Sequence, residues 1–179
     1  MRSFLAKFSA YDLVVMAMMA ALGVAVKPIV VSLVHIITGP LFIPGGSLAG
    51  GFYMMWIVLG AGLVKKRGTA TLIGMVQSII VIATGVYGTH GIISLLTYTL
   101  PGLTVDLVLW LTQLEPEEKL AMFLGGMGAN LCGVILSNVV FFRLPLVPLL
   151  LTISAGALSG ALGGLLAWLV AARFIKLNI

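Results

Sequence analysis

Charge is what this chain has least of. Of its 179 residues ten are Lys or Arg and five are Asp or Glu, 8% together. A soluble domain carries about 25%, so these residues cannot make a water-facing surface. Cysteine is equally scarce. Cys132 stands alone inside an apolar run, which rules out an internal disulfide and leaves packing as its expected role. No glycine-rich phosphate loop ending in Lys-Ser or Lys-Thr occurs, so any energy source must be another chain or an ion gradient. The two histidines, His35 and His90, lie on separate loops without a ligand spacing, which argues against a metal centre. Paired carboxylates, a histidine cluster or a nucleophile beside a base are missing as well, so an integral membrane enzyme has no constellation to work with. The net charge of +5 comes from basic residues scattered at loop positions, not from one basic face, and implies no nucleic-acid partner.

What is present is apolar: 61% of residues, gathered in long runs. A bilayer is crossed by a helix of about 20 such residues. In lipid, only helices or closed barrels satisfy their own backbone, and these runs lack the alternation of barrel strands. The chain therefore reads as an all-α integral membrane protein, one six-helix domain over residues 1–179. The expected spans are residues 11–26, 48–64, 69–84, 91–111, 120–142 and 146–172. Lys27-Pro28 interrupts the first, whose apolar sequence resumes to Ile37; Pro28 should kink or end that helix. Residues 38–46, rich in glycine and proline, are too apolar for a solvated loop and should pack back onto the protein at the membrane edge. Arg2 and Lys7 ahead of an apolar run imitate a signal peptide, but no secreted domain follows, so a retained first helix is expected. No internal repeat is visible.

Six spans put both termini on one side. With the N-terminus cytoplasmic, Arg2, Lys7, Lys65, Lys66, Arg67, Lys119, Arg173 and Lys176 are inside, eight of the ten basic residues, and only Lys27 and Arg143 fall outside. That asymmetry is what the positive-inside rule asks for, so N-terminus and C-terminus are both expected in the cytoplasm.

Polar groups within spans are costly and usually face a cavity or each other. Toward the outer side these are Lys27, His35, Tyr87, His90, Tyr98, Asn138 and Arg143; deeper lie Gln77 and Asn130, with Trp56 at mid-depth. A small pocket of aromatics and a few polar groups is the usual form of a small-molecule site, and these ten residues are the candidate substrate-binding set. Lys27 sits about 24 Å along its helix from Tyr11, near the outer boundary. Plainer roles compete: Lys27 and Arg143 as snorkelling cations, the tyrosines as interfacial belt residues, Asn130 and Asn138 as interhelical hydrogen-bonders. Asp106, near the cytoplasmic end of the fourth span, is far from the outer set. It has a nearby base, a polar group or a partner chain to meet.

Three stripes of small residues recur at every fourth position: Ala17, Ala21 and Ala25; Gly125, Ala129 and Gly133; Gly156, Gly160 and Gly164. Such stripes let helices approach closely, and internal packing is the expected use of the two glycine-containing ones. The alanine stripe has a second meaning. Together with Gly50-Gly51-Phe52-Tyr53-Met54-Met55-Trp56, the basic turn Lys65-Lys66-Arg67-Gly68 and Pro101-Gly102-Leu103-Thr104-Val105-Asp106-Leu107-Val108, it resembles the substrate-binding S components of energy-coupling factor (ECF) transporters. Within them the pattern is most similar to the thiamine or hydroxymethylpyrimidine group. The resemblance implies capture of a vitamin or vitamin precursor at the extracellular side of a prokaryotic cell membrane. It also implies a transmembrane coupling subunit and two ATPase subunits as partners, with ATP and magnesium bound by those partners and no cofactor here. Ala17, Ala21 and Ala25 would meet the coupling subunit. A nickel or cobalt member of that group would begin Met-His, whereas this chain begins Met1-Arg2-Ser3. A stand-alone carrier or channel for a small solute is the alternative from another class.

Overall fold

The computed structural model describes residues 4–41, 43–85 and 93–176. Within them the chain is helical throughout: α1 (Ala10–Thr38), α2 (Gly45–Val64), α3 (Thr69–Thr84), α4 (Ser94–Thr112), α5 (Lys119–Ser137) and α6 (Leu146–Lys176), with a π-helical turn Asn138–Phe142 continuing α5. The expected spans agree with these elements to within a few residues, except at Pro28. α1 runs through it unbroken for 29 residues. The missing amide donor is tolerable because neighbouring groups in a membrane bundle re-satisfy what proline frees. Pro101 sits inside α4 in the same way. The protein is thus an all-α, multi-pass membrane protein, with five helices among the described residues long and apolar enough to cross a bilayer. The sixth, α3, has 16 residues, or about 24 Å at 1.5 Å per residue, shorter than the roughly 30 Å hydrocarbon core.

α2 lies at the centre, buried along most of its length and touching α1, α5 and α6. Ile57 and Leu59 of α2, Ile73 of α3, Leu109 of α4 and Met122 of α5 are fully enclosed. The outer faces of the helices carry leucine, isoleucine and phenylalanine, the composition a lipid-facing surface wants. Hydrophobicity cannot hold helices together in lipid, so close backbone approach does much of that work. At Gly163 of α6 a Cβ would lie 1.9 Å from the Gly51 carbonyl oxygen of α2, and at Gly160 it would lie 2.4 Å from that of Gly126 on α5. Gly156 and Gly164 also face α5, while Gly125 meets Val105 and Gly133 meets Met54. Both glycine-containing stripes are therefore internal seams, as the sequence led us to expect.

Local chemistry fixes the helix ends. Ser9 and Asp12 form a reciprocal capping box at the start of α1: Ser9 Oγ accepts from the Asp12 amide at 3.2 Å, and the Asp12 carboxylate accepts from the Ser9 amide at 2.7 Å. The same carboxylate accepts from Lys66 Nζ at 2.5 Å, tying α1 to the α2–α3 turn. In that turn Gly68 adopts φ +91°, a conformation that favours glycine. The described residues of the 38–46 stretch pack back as expected. A 3-10 turn, Gly39–Leu41, follows α1, and Gly45 lies so close to α1 that a Cβ there would stand 2.9 Å from the His35 backbone. Phe42 lies outside the described residues.

Candidate functional site

The bundle's two ends differ sharply. At one end Asp12 pairs with Lys66, Lys65 with Glu117 at 3.4 Å, Arg67 with Gln113, and Asp106 with the start of α3. At the other, where α1 finishes, α2 and α6 begin and α5 passes into its π turn, a cavity of about 590 Å³ opens. Its polar lining includes Lys27, Ser32 and His35 from α1, Ser47 and Tyr53 from α2, Ser137 at the end of α5, Asn138 and Thr152; Val134, Phe141 and Phe142 form much of its apolar wall.

Lys27 is the best-framed group. Its ammonium donates to Tyr98 Oη at 2.8 Å. It also stands 4.1 Å from the Tyr98 ring centroid and 5.1 Å from that of Tyr53, within the range of a cation–π contact. Tyr98 itself is buried behind the lysine, against Val24 and Val81. Tyr53 is held from its own helix start, donating to the Gly46 carbonyl at 3.2 Å. Two aromatic rings on different helices thus orient one cation in the cavity wall. Asn138 accepts from the Leu144 amide at 2.9 Å and so closes the turn that brings the α5 end around to α6. Thr152 is 2% exposed, and its hydroxyl has no hydrogen-bond partner among the described residues although it lines the cavity. A buried hydroxyl without a partner is costly.

Of the ten candidate residues, Lys27, His35 and Asn138 line the cavity, and Tyr98 supports it through Lys27. Tyr87 and His90 lie outside the described residues. Arg143 is exposed, in a left-handed conformation with φ +46°, between lining residues Phe142 and Leu144 but not itself in the wall. Three of the candidates lie outside the cavity wall. Asn130 is buried and donates to the Ser47 and Gly156 carbonyls at 2.9 and 2.8 Å, so its amide joins α5 to α2 and α6 beneath the cavity. Gln77 is buried where α3 meets Gly23 of α1. Trp56 packs on the main core. None of these three is in the wall. Conversely, Tyr53, Thr152, Ser32 and the pair Phe141–Phe142 line the cavity without standing out in the sequence.

The alanine stripe behaves unlike the glycine seams. Ala17, Ala21 and Ala25 are all exposed along one face of α1, beside Met18 and Leu22. Asp106 accepts from the Gly68 and Thr71 amides, both at 2.7 Å, and from the Thr71 hydroxyl at 2.6 Å. Of the roles open to it, pairing with nearby polar groups is the one it fills.

Comparison with known families now has a geometry to stand on. Residues 11–132 match the family described as "ABC-type cobalt transport system, permease component". The chain belongs to that family. A search of curated proteins finds no match. Among solved structures, the family member shares its fold with a chain described as "Crystal structure of an S-component of ECF transporter". The TM-score is 0.75 at 18% identity, covering 96% of this chain and 88% of that one. The fold is therefore that of an ECF S component.

Proposed function

We propose that this chain is the membrane-embedded substrate-binding subunit of an ATP-driven, ECF-type importer. It captures a small solute in the cavity between α1, α2, the α5 end and α6, and hands it on with a transmembrane coupling subunit and two ATPases. The observation that carries this reading is the cavity at one end of an S-component fold, built around an oriented lysine. The segregation of basic residues supports the orientation: the end bearing Lys7, Lys65, Lys66, Arg67 and Lys119 is cytoplasmic, as are both termini, and the cavity faces outward. The exposed Ala17–Ala21–Ala25 face is the surface for the coupling subunit, since a flat stripe admits a second helix. A vitamin or vitamin precursor is the ligand class, with thiamine-related and hydroxymethylpyrimidine compounds the first to try. ATP and magnesium belong to the partners, and this chain is not an enzyme.

The family description names cobalt. Among the described residues no three His, Cys, Asp or Glu side chains lie together to hold a metal ion, so an organic solute suits the cavity better than a bare cation. Native mass spectrometry of the tagged chain, drawn gently from its host's membranes, tests the reading. A complex with a coupling subunit and two ATPases is expected. A chain repeatedly free of ATPases would instead favour a self-sufficient carrier.

A further inference from the structure

A second cavity, of about 320 Å³, is an open groove on the outer surface between α2 and α6. Buried Gly51 and Gly163 form its floor, and exposed Phe52, Leu158, Leu162 and Leu166 rise beside them. Ser159 also lines it, but its hydroxyl accepts from the Gly51 amide at 3.1 Å and donates to the Leu48 carbonyl. The groove therefore asks for an apolar occupant. Ser159, Leu162 and Leu166 follow one another at helical spacing, and the same face of α6 continues through exposed Leu169 to Arg173. Lys176 stands in the last turn with Arg173, and both are exposed. Among the described residues the ion pairs are Lys66–Asp12 and Lys65–Glu117, so neither Arg173 nor Lys176 takes part in one. Neither α2 nor α6 contains an Asp or a Glu. Basic residues at a helix end suit the membrane orientation and the helix dipole, but neither rule asks for their alignment with a groove. Leu166 and Leu162 lie seven and eleven residues from Arg173, about 10 and 16 Å at 1.5 Å per residue. Half of a bilayer's hydrocarbon core is about 15 Å, so a lipid chain whose head rests at Arg173 reaches into the groove. We propose that the α2–α6 groove binds an anionic phospholipid of the cytoplasmic leaflet. Arg173 and Lys176 hold its phosphate, and one acyl chain lies along Leu166 and Leu162 over the two glycines. The choice of leaflet rests on the orientation given above; the site is separate from the solute cavity and from the alanine face of α1.

The test places the full-length chain in phosphatidylcholine bilayers holding a minor share of phosphatidylglycerol with a photoactivatable acyl chain. Labelled peptides are then mapped by mass spectrometry. Label is expected to concentrate on α2 and α6 at the groove, and to exceed that left by photoactivatable phosphatidylcholine at the same share. Arg173→Gln combined with Lys176→Gln should reduce groove labelling about tenfold. Arg173→Lys combined with Lys176→Arg keeps both charges and should label as wild type does. Arg67→Gln combined with Lys119→Gln removes equal charge from the same end and should also label as wild type does. Label spread evenly over the exposed helix faces, equal labelling by the two lipids, or the same loss in the Arg67–Lys119 control would make the groove ordinary lipid boundary and overturn the inference. A dimer in native mass spectrometry with an unlabelled groove would also overturn it, assigning the groove to a second copy of the chain. If the double Gln variant is not monodisperse, the comparison of the two lipids on wild type decides. None of these outcomes bears on solute capture, which concerns the other cavity.

Discussion

Asp106 of α4 caps the first turn of α3 through Thr71, taking its amide at 2.7 Å and its hydroxyl at 2.6 Å on one carboxylate oxygen while the other takes the Gly68 amide. Orphan amides at a helix start are thus satisfied from a neighbouring helix rather than from the cap residue, which is Gly68 and has no side chain to offer. Hydrogen bonds to a charged acceptor contribute about 1.5–3 kcal/mol. Asp106→Ala is therefore expected to destabilise the detergent-solubilised protein by about 2 kcal/mol, and Asp106→Asn by less, because one oxygen survives. Thermal unfolding of the two variants checks this; equal stability of Asp106→Ala and wild type would refute the capping role.

The α2–α6 seam makes a second demand. A Cβ at Gly163 would meet the Gly51 backbone 1.9 Å away, and backbone cannot swing aside as a side chain can. Overpacking of this kind costs about 1–3 kcal/mol or more. Gly163→Ala should lower the unfolding midpoint clearly. Gly128→Ala, whose Cβ would meet only side-chain methyls at 3.2 and 3.3 Å, should be far milder. Comparable midpoints for the two variants would show that the seam relaxes freely.

These contacts show what the sequence could and could not tell. Spans were legible because apolar run length and sparse charge report directly on helices in lipid, and the glycine stripes announced their seams by spacing. Pro28 does not end α1, because in a membrane bundle neighbouring groups re-satisfy what proline frees. The site was legible only where a polar group was unusual for its depth, as with Lys27. Asn130, equally unusual, joins α5 to α2 and α6, and nothing in one sequence separates a polar group facing a cavity from one facing a carbonyl. Tyr53 does not stand out in the sequence, because an aromatic in an apolar helix resembles ordinary packing; only the fold puts its ring beside Lys27.

Asn130 and Tyr98 accordingly make a contrasting pair. Asn130→Ala removes two interhelical bonds, each about 0.6–1.7 kcal/mol in a membrane, and should lower thermal stability while the retained ligand stays in the same proportion to folded protein. Tyr98→Phe keeps the ring but removes the oxygen that receives Lys27 at 2.8 Å. One such bond is worth about 1 kcal/mol, or roughly fivefold in affinity. Tyr98→Phe should therefore cut ligand retention about fivefold with little change in midpoint. The reverse pattern would move the site from Lys27 toward Asn130.

The exposed alanine face of α1 gives the last expectation. Ala17, Ala21 and Ala25 present no side chain beyond Cβ, so a partner helix can lie directly on the backbone. Ala21→Arg places a long cation in the middle of that face. Because Ala21 is exposed, the substitution meets nothing inside the bundle, and the isolated chain should keep its unfolding midpoint. It should also keep its ligand, since Ala21 is not among the residues lining the cavity. Assembly is another matter: the coupling subunit would have to desolvate the guanidinium against lipid-facing surface, which should reduce co-purification at least tenfold. Quantifying coupling subunit and ATPases pulled down by wild type, Ala21→Arg and a control such as Leu158→Arg, exposed on α6, separates a specific interface from a general intolerance of charge. If Ala21→Arg assembles as well as wild type, the coupling surface lies on another face of the bundle.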